Sequence, residues 1–532
     1  MKNTTNSKLN YSKHYNTSQL VLPLDFSLML KEDDPIFSFN EIMNQVTLLD
    51  LEQEVKVKGR DPYDFSMMCK LVTYAYMQNL FSLRKIADAC TRDIHFYLLT
   101  GGATPSHNAI GDFIKHRIGN NMKILFHRIV KVIKECDDID MSTAFIDGTK
   151  FEANANKYTF VWKRAVIKYL KKMQNRITES ITRLNDYTLL RYMKEFEIKE
   201  AYQPEDILEI MNWLMNIAKE EKIEFKEKSD RKKHPIQRFY NEFIEYEKRM
   251  LDYMEKIEIC GERNSYSKTD TSATFMHLKE DYYGGTNLFH AAYNVQIVVS
   301  DEYITHLGIY SNPNDVKTFI PLMKDYKEIY GELPKNPVAD AGYGSYDNYM
   351  YCIENKSNLV QKFSTYSIEK TKKQQKKIFN KDNWYRDEKT GDYICPNFKR
   401  FKIIKEKMNK NGEYIKIEQT HSCGDKCMFC PMHDLCTKSR GGRTIIVNTI
   451  LEEMKEEVRK NLGTEEGKKL KSRRSAEVEG AFGIIKNNYG YERIHRKGQE
   501  DVEKEMYLIG IGFNLRKYHN KKMRKQKKTV LS

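Results

Sequence analysis

The spacing of apolar residues predicts short helices in the N-terminal part of the chain. Between residues 61 and 135, apolar side chains recur at helical intervals, for example at Leu83 and Ile86. Gly101 and Gly102 interrupt this pattern and predict a turn between helices. Two interpretations stay open for the region: a helix-turn-helix-like unit that binds DNA, or a helical bundle that forms dimer contacts.

Strand patterns follow, and two of the predicted strands end in an aspartate. Residues 143–147 are apolar or β-branched up to Asp147, and Gly148 closes the strand. A later short strand ends in Asp340 in the same way. Strands and helices in this order predict a mixed α/β fold. The further predicted elements are a β-hairpin of strands 290–299 and 303–309, a helix at 316–330 and the strand at 337–340.

A Lys/Glu-rich block from 162 to 260 shows heptad spacing and predicts a helical insertion. Two series of mostly apolar residues advance by steps of three and four, with a separate helix at 206–217 between them. The block therefore reads as an antiparallel coiled coil or a helical bundle, and its stripes serve packing rather than chemistry. The first series is Leu170, Met173, Ile177, Ser180, Leu184 and Tyr187, and the second is Phe239, Phe243, Tyr246, Met250, Tyr253 and Ile257.

The net charge indicates a polyanionic partner. The 532 residues include 89 Lys and Arg against 74 Asp and Glu, a formal charge of +15. Both nucleic acid and an anionic membrane surface attract such a chain. Hydrophobic residues make up 40%, too many for a disordered polybasic chain. Because no stretch approaches the roughly 20 apolar residues of a membrane-spanning helix, and no secretory signal is recognisable, we expect a cytoplasmic protein.

The ten cysteines form two groups. The scattered ones are expected to be small buried thiols in a reducing cytosol; they are Cys69, Cys90, Cys136, Cys260 and Cys352. The clustered ones are Cys395, Cys423, Cys427, Cys430 and Cys436. A structural zinc site with four ligands is one interpretation of this cluster. Free thiols and an iron–sulfur cluster are the alternatives, and nearby His421 and His433 leave the ligand set open.

Three acidic residues stand out as candidates for metal-dependent chemistry. Asp147 and Asp340 end predicted strands, and Glu479 lies on a predicted helix. Carboxylates that converge from neighbouring strand ends and a packed helix bind hard divalent cations such as Mg²⁺. Two such ions about 3.5–4 Å apart would hold the attacking and leaving oxygens of a phosphodiester. The alternative is that each acid is an ordinary turn or cap residue.

Several ordered blocks of the chain carry one family resemblance. They are Asp147-Gly148-Thr149-Lys150, Tyr293-Asn294-Val295-Gln296, Asn314-Asp315, the segment 338–345, Glu479 with Lys486 seven residues later, and Asn514-Leu515-Arg516-Lys517. Together with the helical segment 71–117, they resemble bacterial insertion-sequence transposases of the DDE type. The resemblance extends from about residue 61 to 518.

The resemblance implies a ribonuclease-H-like catalytic core with an N-terminal helical domain. Asp147, Asp340 and Glu479 would then be the catalytic triad and the ligands of two Mg²⁺ or Mn²⁺ ions. The partner would be double-stranded DNA, both the inverted-repeat ends of the element and the target DNA, and no membrane would be involved. Because both ends must be cut in one complex, we expect a homodimer or a larger assembly on DNA.

Basic residues near the triad are candidate DNA contacts. Related transposases often carry an arginine four residues before the glutamate, but Ser475 occupies that position here, so the arginine role is assigned to Arg474. Glu477 competes with Glu479, yet only Glu479 has the seven-residue spacing to Lys486, a lysine that would meet the DNA backbone as a point charge. The candidate DNA-binding residues are Lys150, Arg474, Lys486, Arg493 and Arg496.

These patterns and the resemblance together predict the domain organisation and the activity. The chain would be a transposase that hydrolyses phosphodiesters and joins the freed 3′-OH to target DNA. A catalytically silent transposase-derived DNA-binding protein and a ribonuclease-H-like nuclease without strand transfer are the alternatives. The predicted segments are a helical DNA-binding domain with its arm (1–135), a first core segment (140–162), a coiled-coil insertion (163–262), a second core segment (263–368), a basic linker with the Cys-rich insert (369–445), and a C-terminal core segment with the glutamate helix and a basic tail (446–532).

Overall fold

The chain folds into two compact units. The computed structural model describes residues 30–53, 61–226, 233–279, 288–387, 389–410 and 412–531, so most of the predicted N-terminal arm lies outside the described residues. Unit 1 comprises Met1–Thr149, Asn294–Ile494 and Glu500–Ser532, and unit 2 comprises Lys150–Tyr293 and His495–Gln499.

Helices and strands alternate along the chain, which confirms the mixed α/β class. The helices are α1 (Pro35–Met43), α2 (Phe65–Met77), α3 (Leu83–Arg92), α4 (Ile94–Thr100), α5 (His107–Asp112), α6 (Met122–Asp137), α7 (Lys163–Tyr192), α8 (Pro204–Glu220), α9 (Pro235–Cys260), α10 (Phe319–Tyr330), α11 (Tyr346–Glu354), α12 (Lys372–Gln375), α13 (His433–Cys436), α14 (Thr449–Gly463), α15 (Glu465–Arg474), α16 (Gly480–Gly483) and α17 (Gln499–Leu531). The strands are β1 (Thr143–Glu152), β2 (Phe160–Trp162), β3 (Ser265–Ser267), β4 (Thr274–His277), β5 (Phe289–Ser300), β6 (Tyr303–Tyr310), β7 (Asn336–Ala339), β8 (Tyr385–Arg386), β9 (Tyr393–Ile394), β10 (Arg400–Asn409), β11 (Lys416–Ser422) and β12 (Thr444–Val447).

The predicted helices of the N-terminal region are confirmed. Ile86 of α3 is buried, as the apolar spacing requires. Gly101 ends α4 with φ +58°, and its N–H donates to the carbonyl oxygen of Tyr97. This left-handed conformation favours glycine, which explains why the helical pattern stops at that position.

Strands β6, β5, β1 and β7 pair in that order, within a five-stranded sheet of the described residues in which β4 also pairs with β5. The predicted hairpin is confirmed: β5 and β6 are antiparallel, and Asp301 and Glu302 turn the chain with φ of +46° and +71°. β1 and β7 are parallel from Thr143↔Asn336 to Ile146↔Ala339. β5 is buried from His290 to Ser300, which accounts for its largely apolar pattern.

Two predicted boundaries in unit 1 are wrong. β1 does not close at Gly148 but runs on to Glu152, so Asp147 lies within the strand. The β-branched Thr149 and the aromatic Phe151 favour this continuation. The predicted helix at 316–330 begins later, with Phe319, because a 3₁₀ turn at Asp315–Lys317 precedes it.

Unit 2 contains a three-helix bundle, so the bundle interpretation of the heptad block is confirmed. Met173 and Ile177 of α7 pack with Leu214 of α8 and with Phe243 and Met250 of α9. The helix predicted at 206–217 is longer than expected, because α8 begins at Pro204, a favourable residue for a first helical position. The heptad stripes therefore serve packing, as predicted.

The cysteine-rich segment of unit 1 forms a second antiparallel sheet, with strand order β12-β11-β10-β9-β8. Among the scattered cysteines, Cys136 is exposed, so the prediction of burial is wrong for this residue. It lies in the last turn of α6, whose buried stripe ends at Ile133. The four other scattered cysteines form no disulfide and are buried, as expected. Within the described ranges, no helix has the length and apolar character needed to cross a membrane.

Candidate active site

Asp147 and Asp340 come from neighbouring parallel strands. The paired register of β1 and β7 ends at Ile146↔Ala339. Asp147 directly follows Ile146, and Asp340 directly follows Ala339. Paired parallel strands lie about 4.8 Å apart, and residues at matching positions point to the same face. Each aspartate also accepts a local backbone N–H, from Gly148 for Asp147 (2.9 Å) and from Gly342 for Asp340 (2.8 Å). Two carboxylates therefore leave adjacent positions at one edge of the sheet.

A buried polar network lies beneath these aspartates. Gln296 on β5 donates from Nε2 to Oδ1 of Asp315 (3.0 Å), and Asn294 donates to the same oxygen (2.7 Å). The Tyr343 hydroxyl donates to Oε1 of Gln296. A β-carbon on Gly148 would lie 2.0 Å from Nε2 of Gln296, so the contact requires glycine at this position.

Asp315 is a site residue that sequence reasoning missed. A β-carbon on Gly342 would lie 3.7 Å from Oδ2 of Asp315 and 3.0 Å from Oδ1 of Asp340, so the two carboxylates lie close to the same point. Burial, followed by the charges of Asp315, Asp147 and Asp340, raises the pKa of the Tyr343 phenol. The charges of all three carboxylates therefore act on one buried tyrosine. The Asn314-Asp315 pair belonged to the family resemblance, which was the available signal.

Arg474 links the third predicted carboxylate, Glu479, to the first, Asp147. Arg474 lies at the end of α15, and its guanidinium reaches Oδ2 of Asp147 (3.8 Å) and Oε1 of Glu479 (3.4 Å). The Ser475 hydroxyl donates to the same Glu479 oxygen (2.8 Å). The Glu479 side chain is 60% exposed, whereas that of Arg474 is 12% exposed. A nearly buried cation thus connects two of the predicted metal ligands.

A π-helical turn explains the displaced arginine. Residues Ser475–Glu479 form a π turn, in which hydrogen bonds span five residues rather than four. Arg474, five residues before Glu479, therefore lies on the same face as the glutamate. An arginine four residues before the glutamate would take this place in a regular α-helix.

Glu477 has different contacts from Glu479, the other candidate for the catalytic glutamate. It is buried, and its Oε2 accepts the backbone N–H of Glu302 at 2.7 Å. Its Oε1 accepts from Arg473 at 2.9 Å, and Arg473 also reaches Asp301 at 3.2 Å. Glu477 therefore fastens the glutamate helix to the β5–β6 turn, while Glu479 stays accessible.

The predicted DNA-binding residues occupy different parts of the chain. Lys486 lies in a second π turn, Ile484–Asn488, and its ammonium donates to the Thr149 hydroxyl at 2.8 Å. Thr149 follows Asp147 by two residues on β1, so Lys486 lies near the first aspartate. Arg493 belongs to unit 1, whereas Lys150 and Arg496 belong to unit 2.

The acidic residues fit divalent cations in chemistry and in direction. Asp147 and Asp340 offer oxygen ligands from adjacent strands, and Glu479 shares a guanidinium with Asp147. Arg474 supplies positive charge between the carboxylates of Asp147 and Glu479, as a bound metal ion would. In the described part of the chain, however, no three His, Cys, Asp or Glu side chains are close enough to hold a metal ion.

The clustered cysteines line one small cavity of about 20 Å³. Cys427 is buried in the core of the second sheet, and Cys395 and Cys423 pack against it. Burial, and then neighbouring Cys427 and Cys395, raises the pKa of the Cys423 thiol to about 12. His421 is buried beside Phe401. The cavity is lined by all the clustered cysteines and His433, namely Cys395, Cys423, Cys427, Cys430, Cys436 and His433.

Two models of known families match parts of the chain. Residues 394–519 match a family model described as a transposase DDE domain, and residues 25–116 match one described as a transposase domain (DUF772). The first match includes Glu479 and all the clustered cysteines, whereas Asp147 and Asp340 precede it. No curated protein and no solved structure shows a significant match to the chain.

The two matches confirm the resemblance to insertion-sequence transposases of the DDE type. They support a transposase function, a DNA-cleaving enzyme and DNA as the partner, since transposases act on DNA.

Proposed function

We propose that the protein is a DNA transposase that cuts the inverted-repeat ends of an insertion sequence and joins the freed 3′-OH to target DNA. The observation that carries this proposal is that Asp147 and Asp340 follow paired positions of β1 and β7, while Arg474 contacts both Asp147 and Glu479. The central position of β1 in a mixed sheet supports a ribonuclease-H-like core.

In this proposal the three carboxylates bind two Mg²⁺ or Mn²⁺ ions, which when bound activate water and stabilise the leaving oxygen. Arg474 and Lys486 bind the DNA backbone beside the reacting phosphate. The hydroxyl of Thr149 orients the Lys486 ammonium. Among the described residues, Nε of Arg474 is buried without a hydrogen-bond partner, so a phosphate oxygen would satisfy it.

Lys150, Arg493 and Arg496 would each contact the DNA backbone. The N-terminal helices would bind the element ends, and at least two copies of the chain would assemble on them. We place this activity in the bacterial cytoplasm, at the nucleoid. The positive net charge of +15 supports DNA as the polyanion.

The proposal is tested with duplexes taken from the DNA that flanks the coding sequence. Wild-type protein should cut these duplexes in Mg²⁺ and join the 3′-ends to a target plasmid. Asp147→Asn, Asp340→Asn and Glu479→Gln should each reduce cleavage at least about 10³-fold, because each removes a metal ligand, while binding in Ca²⁺ persists. A lysine outside the site offers the matched control Lys327→Gln.

The alternatives correspond to distinct outcomes of this experiment. Wild-type protein that binds the duplexes but never cuts them is the silent DNA-binding protein. Protein that cuts them but joins no 3′-end is the ribonuclease-H-like nuclease. Either result overturns the transposase proposal.

We further propose that the cysteine-rich insert binds one structural zinc ion. Support comes from five thiols around one cavity and from N–H donors to sulfur: Asn397 to Cys430 at 3.3 Å, and the backbone of Arg443 to Cys427 at 3.2 Å. Such donors stabilise thiolates. Elemental analysis of purified protein should find one zinc per chain. A clearly lower content favours free thiols, and iron with labile sulfide favours the cluster.

A further inference from the structure

The chain places a lysine beside Asp340. After α11 the chain runs beside β7. There the N–H of Asn358 donates to the carbonyl oxygen of Lys335 (2.8 Å), and the N–H of Lys362 donates to the carbonyl oxygen of Ala339 (3.4 Å). From the first of these hydrogen bonds to the second, the donor and the acceptor each move four residues forward along the chain, so the two segments run parallel. Three neighbouring segments therefore deliver Asp147, Asp340 and Lys362 to the same edge of the sheet.

The position of Lys362 is firmly defined by its backbone and its neighbour. Gln361 is fully buried and donates from Nε2 to the carbonyl of Pro337 at 2.7 Å. A β-carbon on Gly344 would lie 2.2 Å from the carbonyl oxygen of Lys362, so the loop after Asp340 packs directly on this backbone. The lysine is therefore held at the site by the sheet rather than by its own side chain.

The ammonium group of Lys362 is surrounded by charges of both signs. Partial burial lowers its pKa, Arg474 and Lys471 of α15 lower it further, and Asp340 and Glu479 oppose the shift. Within the described ranges, the ammonium forms no ion pair. By contrast, Lys471 reaches the Tyr366 hydroxyl at 3.5 Å.

We propose that Lys362 binds a non-bridging oxygen of the scissile phosphodiester, next to the carboxylate of Asp340. This inference rests on the proposed transposase function. A partly buried ammonium with no partner, among carboxylates that would hold cations, is available to an incoming anion, and lysine binds phosphate as a point charge. A purely structural role as counter-ion to Asp340 would require a direct ion pair, which is not present among the described residues.

The first test measures DNA binding without cleavage. Wild-type protein, Lys362→Gln, Lys362→Arg and the control Lys327→Gln are titrated with a flanking-DNA duplex in Ca²⁺ at several KCl concentrations. Loss of one phosphate contact should reduce the slope of log K against log [KCl] by about 0.9 in Lys362→Gln. Lys362→Arg should keep the wild-type slope. An unchanged slope in Lys362→Gln contradicts the proposal.

The second test measures single-turnover cleavage of the same duplex in Mg²⁺. Lys362→Gln should be about 10²-fold slower than wild type, whereas Lys362→Arg should stay within about tenfold. Because arginine stays protonated, Lys362→Arg should keep its rate at alkaline pH where the wild-type rate falls. Should Lys362→Gln misfold, as judged by thermal unfolding, this alkaline difference alone decides.

The outcomes distinguish a failure of the proposed transposase function from a failure of the proposed role of Lys362. Wild-type protein that cuts no flanking duplex overturns the proposed function. Two outcomes overturn only the role of Lys362 when wild-type protein does cut. One is a cleavage rate of Lys362→Gln equal to that of wild type, and the other is a pH profile of cleavage by Lys362→Arg identical to that of wild type.

Discussion

At the scale of single residues, two glutamates in one π turn have separate tasks. Glu477 is buried and accepts hydrogen bonds from Arg473 and from the backbone of Glu302. Glu479 is exposed and contacts Arg474 and Ser475. A buried acceptor stabilises the fold, while an accessible carboxylate is available to ligands.

This division predicts opposite effects of two matched substitutions. Glu477→Gln should lower the free energy of unfolding by about 1–3 kcal/mol, because a buried charged acceptor is lost. Glu479→Gln should change stability by no more than about 0.5 kcal/mol, as is usual at exposed positions, yet abolish cleavage. Urea denaturation and the cleavage assay measure the two effects. If Glu477→Gln abolished cleavage at full stability, and Glu479→Gln did not, the roles would be reversed.

The residues that sequence analysis selected are those whose neighbours along the chain identify them. Asp147 and Asp340 each follow a run of apolar strand residues, and Glu479 has a fixed spacing to Lys486. Asp315 and Lys362 were missed because their proximity to the site arises from sheet neighbours distant in sequence. No local pattern distinguishes such a lysine from the many exposed lysines of this chain.

At the scale of elements, the π turn at Ser475–Glu479 sets the geometry of the glutamate helix. A π turn is one residue longer than the α-helical turn it replaces. The extra residue brings Arg474 and Glu479 together although they are five positions apart. Sequence comparison treated the displaced arginine as a departure, since helix periodicity alone does not reveal a π turn.

Removal of the extra residue is therefore expected to be tolerated. Deletion of the exposed Ala476 should restore a regular α-helix with the arginine four residues before the glutamate. We expect folding to persist and cleavage to stay within about tenfold of wild type. An added alanine at the same place, as the matched control, should rotate Arg474 away from Glu479 and impair cleavage. A well-folded deletion variant without activity would contradict this account.

The contact between α6 and β6 predicts a pH dependence of stability. Nδ1 of His127 lies 2.8 Å from the carbonyl of Lys123, and Nε2 lies 3.1 Å from Nδ1 of His306. Burial lowers the pKa of His127 to about 3, below its unfolded value of about 6.5. The unfolded state therefore binds the proton more tightly, and the stabilisation, complete above about pH 6.5, is lost as the pH falls towards 3.

Thermal unfolding at pH 7 and pH 5 measures this effect. Wild-type protein should lose more stability on acidification than His127→Gln, with a difference of the order of 1 kcal/mol because the ring keeps some exposure. His116→Gln, which changes a histidine whose side chain is 51% exposed, is the matched control. Equal losses in wild type and His127→Gln would show that this histidine is not buried in the neutral form.

Elements with a strong period were predicted well, and elements without one were not. The heptad stripes of α7 and α9 and the hairpin of β5 and β6 follow their patterns. The ladder of β10 and β11 gave no such signal, because most residues of β10 are exposed and many are lysines. Its strands form through pairing across the hairpin rather than through an alternating apolar face.

At the scale of the whole molecule, the charge distribution separates binding from chemistry. The chain carries a net charge of +15, which favours DNA through non-specific attraction. The candidate active site instead gathers Asp147, Asp340, Asp315 and Glu479 around the cations Arg474 and Lys362. Without metal ions, such a cluster would repel the phosphate that the surrounding surface attracts.

Mn²⁺ binding to the protein–DNA complex tests the central claim most directly. Calorimetric titration of wild-type protein bound to a flanking-DNA duplex should show saturable Mn²⁺ binding at two sites per active centre. Asp147→Asn and Asp340→Asn should lose that binding while they retain the DNA, and Lys327→Gln should behave as wild type. Mn²⁺ binding that is unchanged in both aspartate variants would contradict the account.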